Sequence, residues 1–278
     1  MTPGATTPIA FIGGGNMARS LIGGLVARGA DPRAVRVSEP DAARRDSLAH
    51  DFGVVALASN ADAARGAGTL VLAVKPQVMR AVAREVGSVL AGRRALVVSI
   101  AAGIRIADLA RWLAAPAALV RAMPNTPALI GAGITALVRA PDVDDDEATR
   151  AETLLSAAGE TLWLDDEGLM DAVTAVSGSG PAYVFALMEA IEAAGVAQGL
   201  PAETARRLVL ATVLGAARMA RDGGEPPGVL RERVTSPKGT TAAALEVLAA
   251  GGFQRLVGEA VAAATRRGDA LARELSDG

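Results

Sequence analysis

Through the first half of the chain, short, mainly apolar runs alternate with stretches whose apolar residues recur every third or fourth position. Residues 9–12, 35–39, 54–57, 69–74, 95–100 and 118–123 are such runs; each reads as a strand, the first of them buried. After the first of them, Ala18, Leu21, Ile22, Leu25 and Val26 fall at helical spacing. Ser59 and Asn60 cap a short helix over 61–64, and Val78, Val82, Val86 and Val89 repeat along another after Pro76. Six strands alternating with helices predict an α/β N-terminal domain built on a Rossmann-like parallel sheet. Two more strands are predicted at 134–138 and 161–164, with a helix between them that begins in the acidic run 142–147. Carboxylates in a first helical turn complement the macrodipole, and the run lacks the glycine that a calcium loop needs.

From Asp165 onward strand patterns stop and Ala-rich helices take over. Val184, Leu187, Met188, Ile191 and Gly195 mark one helix; Leu208, Ala211, Thr212, Gly215 and Met219 mark a second, after Pro201. Residues 223–228 form a break, and a last helical region carries Leu245, Leu248, Phe253, Leu256, Val257, Ala260 and Val261. The chain therefore divides into a dinucleotide-binding domain at 1–164 and an all-α domain at 165–278. Helical stripes this apolar, on so short a domain, predict burial against a partner chain as well as internally.

The junction of the first strand and helix carries Gly13-x-Gly15-x-x-Ala18. Gly13 permits a tight turn, Gly15 lets backbone approach a pyrophosphate, and Ala18 lets helix pack on strand. Glu39, ending the second strand, stands where a ribose-binding carboxylate is expected and would favour NADH. Ser38, Arg44 and Arg45 are close enough in sequence to receive a 2′-phosphate instead, and Glu39 pointing to water is a third reading, so NADPH and NADH both stay open. Lys75 follows the fourth strand, in a loop facing the cofactor crevice of a doubly wound fold. Two further segments, 177–181 and 235–241, precede helices and offer hydroxyls with unpaired N–H groups, suited to a carboxylate.

Composition narrows the chemistry. Of 278 residues 51% are apolar but only 3% aromatic, which suits Ala-rich helices packed on parallel strands. A net charge of −2 offers no field for nucleic acid. No apolar run reaches bilayer length, and residues 1–8 lack the sections of a signal peptide, so a cytoplasmic protein without membrane partners is expected. The absence of cysteine removes disulfides, thiolate catalysis and cysteine-bound zinc, and no metal site is expected. Acid–base groups are scarce: His50, the single histidine, falls in a polar surface helix, and Tyr183, the single tyrosine, reads as packing. A cyclic imine needs little acid catalysis, because its nitrogen is basic enough to carry a proton and the iminium accepts hydride readily.

Five collinear motifs then carry a resemblance. Residues 11–18 (Phe-Ile-Gly-Gly-Gly-Asn-Met-Ala), 74–77 (Val-Lys-Pro-Gln), 121–127 (Arg-Ala-Met-Pro-Asn-Thr-Pro), 177–183 (Ser-Gly-Ser-Gly-Pro-Ala-Tyr) and 234–241 (Val-Thr-Ser-Pro-Lys-Gly-Thr-Thr) together resemble pyrroline-5-carboxylate reductase over nearly the whole chain. The resemblance implies the last step of proline biosynthesis, reduction of 1-pyrroline-5-carboxylate to L-proline by NADPH or NADH. It also implies that the helical domain dimerises, with dimers often assembling into decamers, a pentamer of dimers. By the same resemblance Gly13, Gly14, Gly15, Asn16 and Met17 hold the pyrophosphate, and Ser38, Glu39 and Asn60 surround the adenosine ribose. Ala73, Lys75, Pro76 and Asn125 line the cofactor cleft. Val234, Ser236, Gly239, Thr240 and Thr241 form the substrate loop, the Thr241 hydroxyl reaching the ring nitrogen, with the acidic Glu225 beside it. The family usually has glycine where this chain has Lys238; if that backbone needs a positive φ, the lysine is strained. Two other readings compete: a β-hydroxyacid dehydrogenase, which would need a catalytic lysine on an interdomain helix, and a non-catalytic dinucleotide-binding regulator. Only the imine reductase predicts NAD(P)H oxidation with pyrroline carboxylate.

Overall fold

The structure, a computed structural model, describes residues 8–90 and 92–277. The segment read for targeting signals lies outside the described residues, apart from Pro8.

One eight-stranded sheet organises the N-terminal part. Its strands are β1 (Ile9–Ile12), β2 (Val35–Ser38), β3 (Val55–Leu57), β4 (Thr69–Leu72), β5 (Ala95–Ser99), β6 (Ala117–Met123), β7 (Gly133–Arg139) and β8 (Gly159–Trp163), in the order β3-β2-β1-β4-β5-β6-β7-β8. The expected strands are all present, with edges moved by one or two residues. β1 to β6 pair in parallel, and Phe11, Ile12, Leu70, Leu72, Leu96 and Val98 are buried because helices cover both faces. Each parallel neighbour is reached through a helix: α1 (Asn16–Ala27), α2 (Ala42–Phe52), α3 (Asn60–Ala64), α4 (Pro76–Leu90) and α5 (Ile106–Leu113). Only a 3₁₀ turn, Thr126–Ile130, joins β6 to β7. A link that short cannot cross over, so β7 runs antiparallel to β6. α6 (Asp145–Leu155) then restores a parallel pairing of β8 with β7.

In α4 the buried face is Met79, Val82, Ala83, Val86 and Leu90, whereas Val78 is exposed. The valine repeat thus gave the helix, and Val82 and Val86 of it lie on the buried face. The acidic run caps α6: Asp144 accepts from the Glu147 N–H, and Glu147 reaches back to the Asp144 N–H.

The remaining elements are α7 (Met170–Val173), a π-helical turn at Thr174–Gly178, α8 (Gly180–Ala197), α9 (Ala202–Gly223), α10 (Pro227–Arg233), α11 (Thr240–Ala250) and α12 (Phe253–Asp277). Contacts divide the chain into two compact units, Met1–Ser179 with Ala264–Gly278, and Gly180–Ala263. Within the first unit the end of α12 is held by Arg105–Asp269 at 3.1 Å and by the Ser276 hydroxyl, which donates to Asp108 at 2.7 Å. In the second unit, among the described residues, only Ala205 and Val209 are buried. No helix of the described residues is long and apolar enough to cross a membrane.

Candidate active site

In the first unit, β1 sits where the chain turns to β2 on one side and β4 on the other, the switch point at which open α/β sheets bind ligands. Gly13 leaves β1 with φ +101°, and a Cβ there would lie 2.9 Å from the Ala73 carbonyl oxygen. No L-side chain fits that backbone or that gap. Gly15 differs: it is the N-cap of α1 with extended backbone, and no atom lies within 4 Å of where its Cβ would be. The protein itself does not require glycine at 15. Open space in front of it, at the positive end of a twelve-residue helix, fits a pyrophosphate that must come close. No side chain caps α1, so the N–H groups of Asn16, Met17 and Ala18 have no intrahelical acceptor. Ala18 is buried in the contact between helix and sheet. The Gly13 and Gly14 N–H groups are already engaged, donating to the Ser38 carbonyl at 3.0 Å and to Glu39 Oε2 at 3.2 Å.

Glu39 therefore does not point to water; only 6% of it is exposed. Beside it the Ser38 hydroxyl donates to Asn60 Oδ1 at 2.8 Å, and Asn60 Nδ2 donates to Glu85 Oε2 at 2.8 Å. Ser38, Glu39 and Asn60 thus come together at the C-terminal ends of β2 and β3. Glu85, on α4, went unnoticed in the sequence, where nothing links it to position 60. Ala73 and Lys75 lie in the loop after β4, Lys75 is exposed, and Pro76 is the first residue of α4. Asn125 spends its amide on the protein: Oδ1 accepts from the Ile134 N–H at 3.0 Å and Nδ2 donates to the Ser177 carbonyl at 3.2 Å. It ties the end of β6 to β7 and to the π-helical turn.

The expectation of free donors at 177–181 fails over its first three residues. Ser177 and Gly178 belong to the π-helical turn, in which the Ser179 N–H donates to the Thr174 carbonyl at 2.8 Å. The Ser177 hydroxyl is spent likewise, donating to the Val173 carbonyl at 3.1 Å. A Cβ on Gly178 would meet the tip of the Met123 side chain, Cε, at 2.6 Å.

In the second unit the loop 234–241 joins α10 to α11. The Gly239 N–H donates to the Ser236 carbonyl at 3.0 Å, closing a turn over Ser236, Pro237, Lys238 and Gly239. Proline at the second position and φ +58° at Lys238, the third, match a type II turn. The φ at Lys238 is positive, the condition under which lysine is strained there, and its side chain is exposed. Gly239 caps α11 without a side chain, and a Cβ on it would collide with the Ser236 hydroxyl. The N–H groups of Thr240, Thr241 and Ala242 therefore open the helix with no intrahelical acceptor. Val234, Ser236 and Thr240 are exposed and Thr241 is half-buried. Glu225 is held by Arg233 through two bonds, at 2.7 and 2.6 Å. Arg233 was missed because α10, which carries it back to Glu225, gives no apolar repeat in the sequence.

Comparison with known proteins matches the two parts of the chain to two family models. Residues 167–271 match the family model "Pyrroline-5-carboxylate reductase dimerisation", and residues 8–103 match "NADP oxidoreductase coenzyme F420-dependent". The chain is 50% identical to a pyrroline-5-carboxylate reductase of Pseudomonas aeruginosa, covering 98% of this chain and 99% of that protein. Among solved structures, the pyrroline-5-carboxylate reductase of Coxiella burnetii superposes with TM-score 0.91 at 40% identity, over 96% of this chain and 99% of that one. The Plasmodium falciparum pyrroline carboxylate reductase with NADP bound gives 0.85 at 28% identity, over 96% and 98%.

Proposed function

The chain belongs to the pyrroline-5-carboxylate reductase family, and from that premise we propose how its residues carry out the reduction of 1-pyrroline-5-carboxylate to L-proline. A bound NADPH or NADH supplies hydride to the imine carbon while the ring nitrogen carries a proton, leaving a secondary amine and the oxidised dinucleotide. For the dinucleotide, the first turn of α1 takes the pyrophosphate through the free N–H groups beyond Gly15. Gly13 and Gly14 shape that turn. Ser38, Glu39 and Asn60 meet the adenosine ribose, and Ala73, Lys75, Pro76 and Asn125 border the cleft.

For the substrate, the carboxylate is gripped at the start of α11 by the N–H groups of Thr240 and Thr241, with Ser236 and Gly239 shaping the turn. Val234 bounds the ring and Glu225, steadied by Arg233, lies beside it. The Thr241 hydroxyl orients the ring nitrogen. The observation that carries this reading is the uncapped N-terminus of α11 behind the turn that Ser236 and Gly239 close. We divide the work at residue 164, with 1–164 serving the cofactor and 165–278 the substrate and self-association. The chain is oligomeric; we propose a homodimer as the basic unit and five dimers as the fuller assembly.

Steady-state oxidation of NAD(P)H with 1-pyrroline-5-carboxylate tests the assignment. Thr241→Ala should lower kcat by on the order of tenfold to a hundredfold while the dinucleotide Kd stays within about twofold. An equal loss of dinucleotide affinity would move Thr241 out of the substrate site.

A further inference from the structure

We propose that this chain selects NADH over NADPH and that Glu39 makes the selection, an inference that rests on dinucleotide binding at the β1–α1 loop. Glu39 is fixed at both its backbone and its carboxylate. Its N–H donates to the Leu57 carbonyl at 2.9 Å, extending the ladder between β2 and β3. Its Oε2 accepts from the Gly14 N–H at 3.2 Å and its Oε1 from the Asp41 N–H at 3.1 Å. A Cβ on Gly14 would stand 3.1 Å from Glu39 Cβ and 3.2 Å from Oε2, so the carboxyl group lies packed against the glycine loop itself. Swinging it away would break both hydrogen bonds and leave two donors unpaired in a site where Gly14 is buried.

A carboxylate held this way has lone pairs left for a hydroxyl donor, which a ribose 2′-OH is. A 2′-phosphate brings only acceptors and negative charge, and would meet the carboxylate head on. The surroundings do not reverse that sign. Arg45, the basic residue folded back toward this loop, donates from Nη1 to the Glu39 carbonyl at 2.9 Å and to the Pro40 carbonyl at 2.8 Å. Arg44 lies in the first turn of α2 and is exposed. On the other side, Ser38 donates its hydroxyl proton to Asn60, which is held in turn by a second carboxylate, Glu85. A hydroxyl whose proton is already given to Asn60 is a poor donor to phosphate.

Binding separates this inference from the reading it rests on. Titration of the intact oligomer with NADH and with NADPH, followed by nicotinamide fluorescence, should give a Kd for NADH lower by on the order of tenfold. Competition by 5′-AMP should exceed competition by adenosine 2′,5′-bisphosphate in the same sense, which isolates the 2′-phosphate from the rest of the dinucleotide. Glu39→Ser should shrink or invert the NADPH-to-NADH ratio of Kd. Glu39→Gln, which keeps the volume and removes the charge, should shift it in the same direction and stands in if the serine variant folds poorly. Equal affinities in the unaltered chain, or tighter binding of NADPH, overturn the inference, as does a ratio unmoved in both variants. Failure to bind either dinucleotide would overturn the cofactor reading itself.

Discussion

Lys238 shows what one residue contributes beyond its charge. Its positive φ follows from the type II turn that Pro237 initiates, and only glycine adopts that conformation without cost. An L-residue in the left-handed region is disfavoured by roughly 1–2 kcal/mol, partly offset because glycine loses more chain entropy on folding. Lys238→Gly should therefore stabilise the protein by about 1 kcal/mol or less, read from its denaturant midpoint. The side chain is exposed, so KM for pyrroline carboxylate should not change. A KM raised severalfold would mean that the ammonium attracts the substrate carboxylate. At this scale the sequence was legible where a backbone constraint chose the residue type, as at Gly13. It was ambiguous where partners lie far along the chain: Glu39 was readable as ligand or as solvated until the Gly14 N–H was placed against it.

Among elements, α6 is the one whose sequence and structure agree most fully. Asp144 and Glu147 form the capping box, and Arg94, just ahead of β5, reaches Glu147 with Nε and Nη2, both at 3.0 Å, and Asp142 with Nη1 at 3.0 Å. The Arg94 guanidinium, hydrogen-bonded to the buried Glu147, holds that carboxyl below the usual carboxylate range, although burial pushes the other way. A folded-state pKa depressed in this way adds stability above the unfolded-state pKa and loses it as pH falls through the folded-state value. Glu147→Gln should thus lower Tm at neutral pH, and the gap to the unaltered protein should begin to narrow below about pH 4 and close only once the pH has passed below the depressed folded-state value. A gap that persists in acid would show that packing, not the ion pair, is at stake. Among the elements that escaped the sequence reading were α10 and the π-helical turn. Seven residues are too few for a helical repeat to stand out in α10, and a π turn shares the residue preferences of the α-helices beside it.

For the molecule as a whole, the unit Gly180–Ala263 cannot account for its own apolar surface. α8 is apolar nearly all round, yet none of its residues is buried, and Phe185, Leu214, Val247 and Leu256 are more than half exposed. A helix apolar on every face is stable in water only when covered. The match to a dimerisation domain over 167–271 supplies the cover: further copies of the same chain. Sedimentation equilibrium should accordingly find no folded monomer at micromolar concentration. Dilution that dissociates the oligomer should take helical circular dichroism and activity down together. A folded, active monomer would contradict this.

By itself, the order of residues determined the strands, most helices, the glycine turn after β1 and the motif set that marks the family. These are local matters, decided by periodicity over a few residues, by turns only certain residue types allow, and by chemistry repeated in order along the chain. Tertiary structure alone decided that Glu39 is pinned to Gly14, that Asn125 serves the protein with its amide, that Arg233 steadies Glu225, and that 177–178 coil into a π turn. Each depends on groups brought together by the folded backbone, and the burial that makes such a contact matter exists only once the chain has folded.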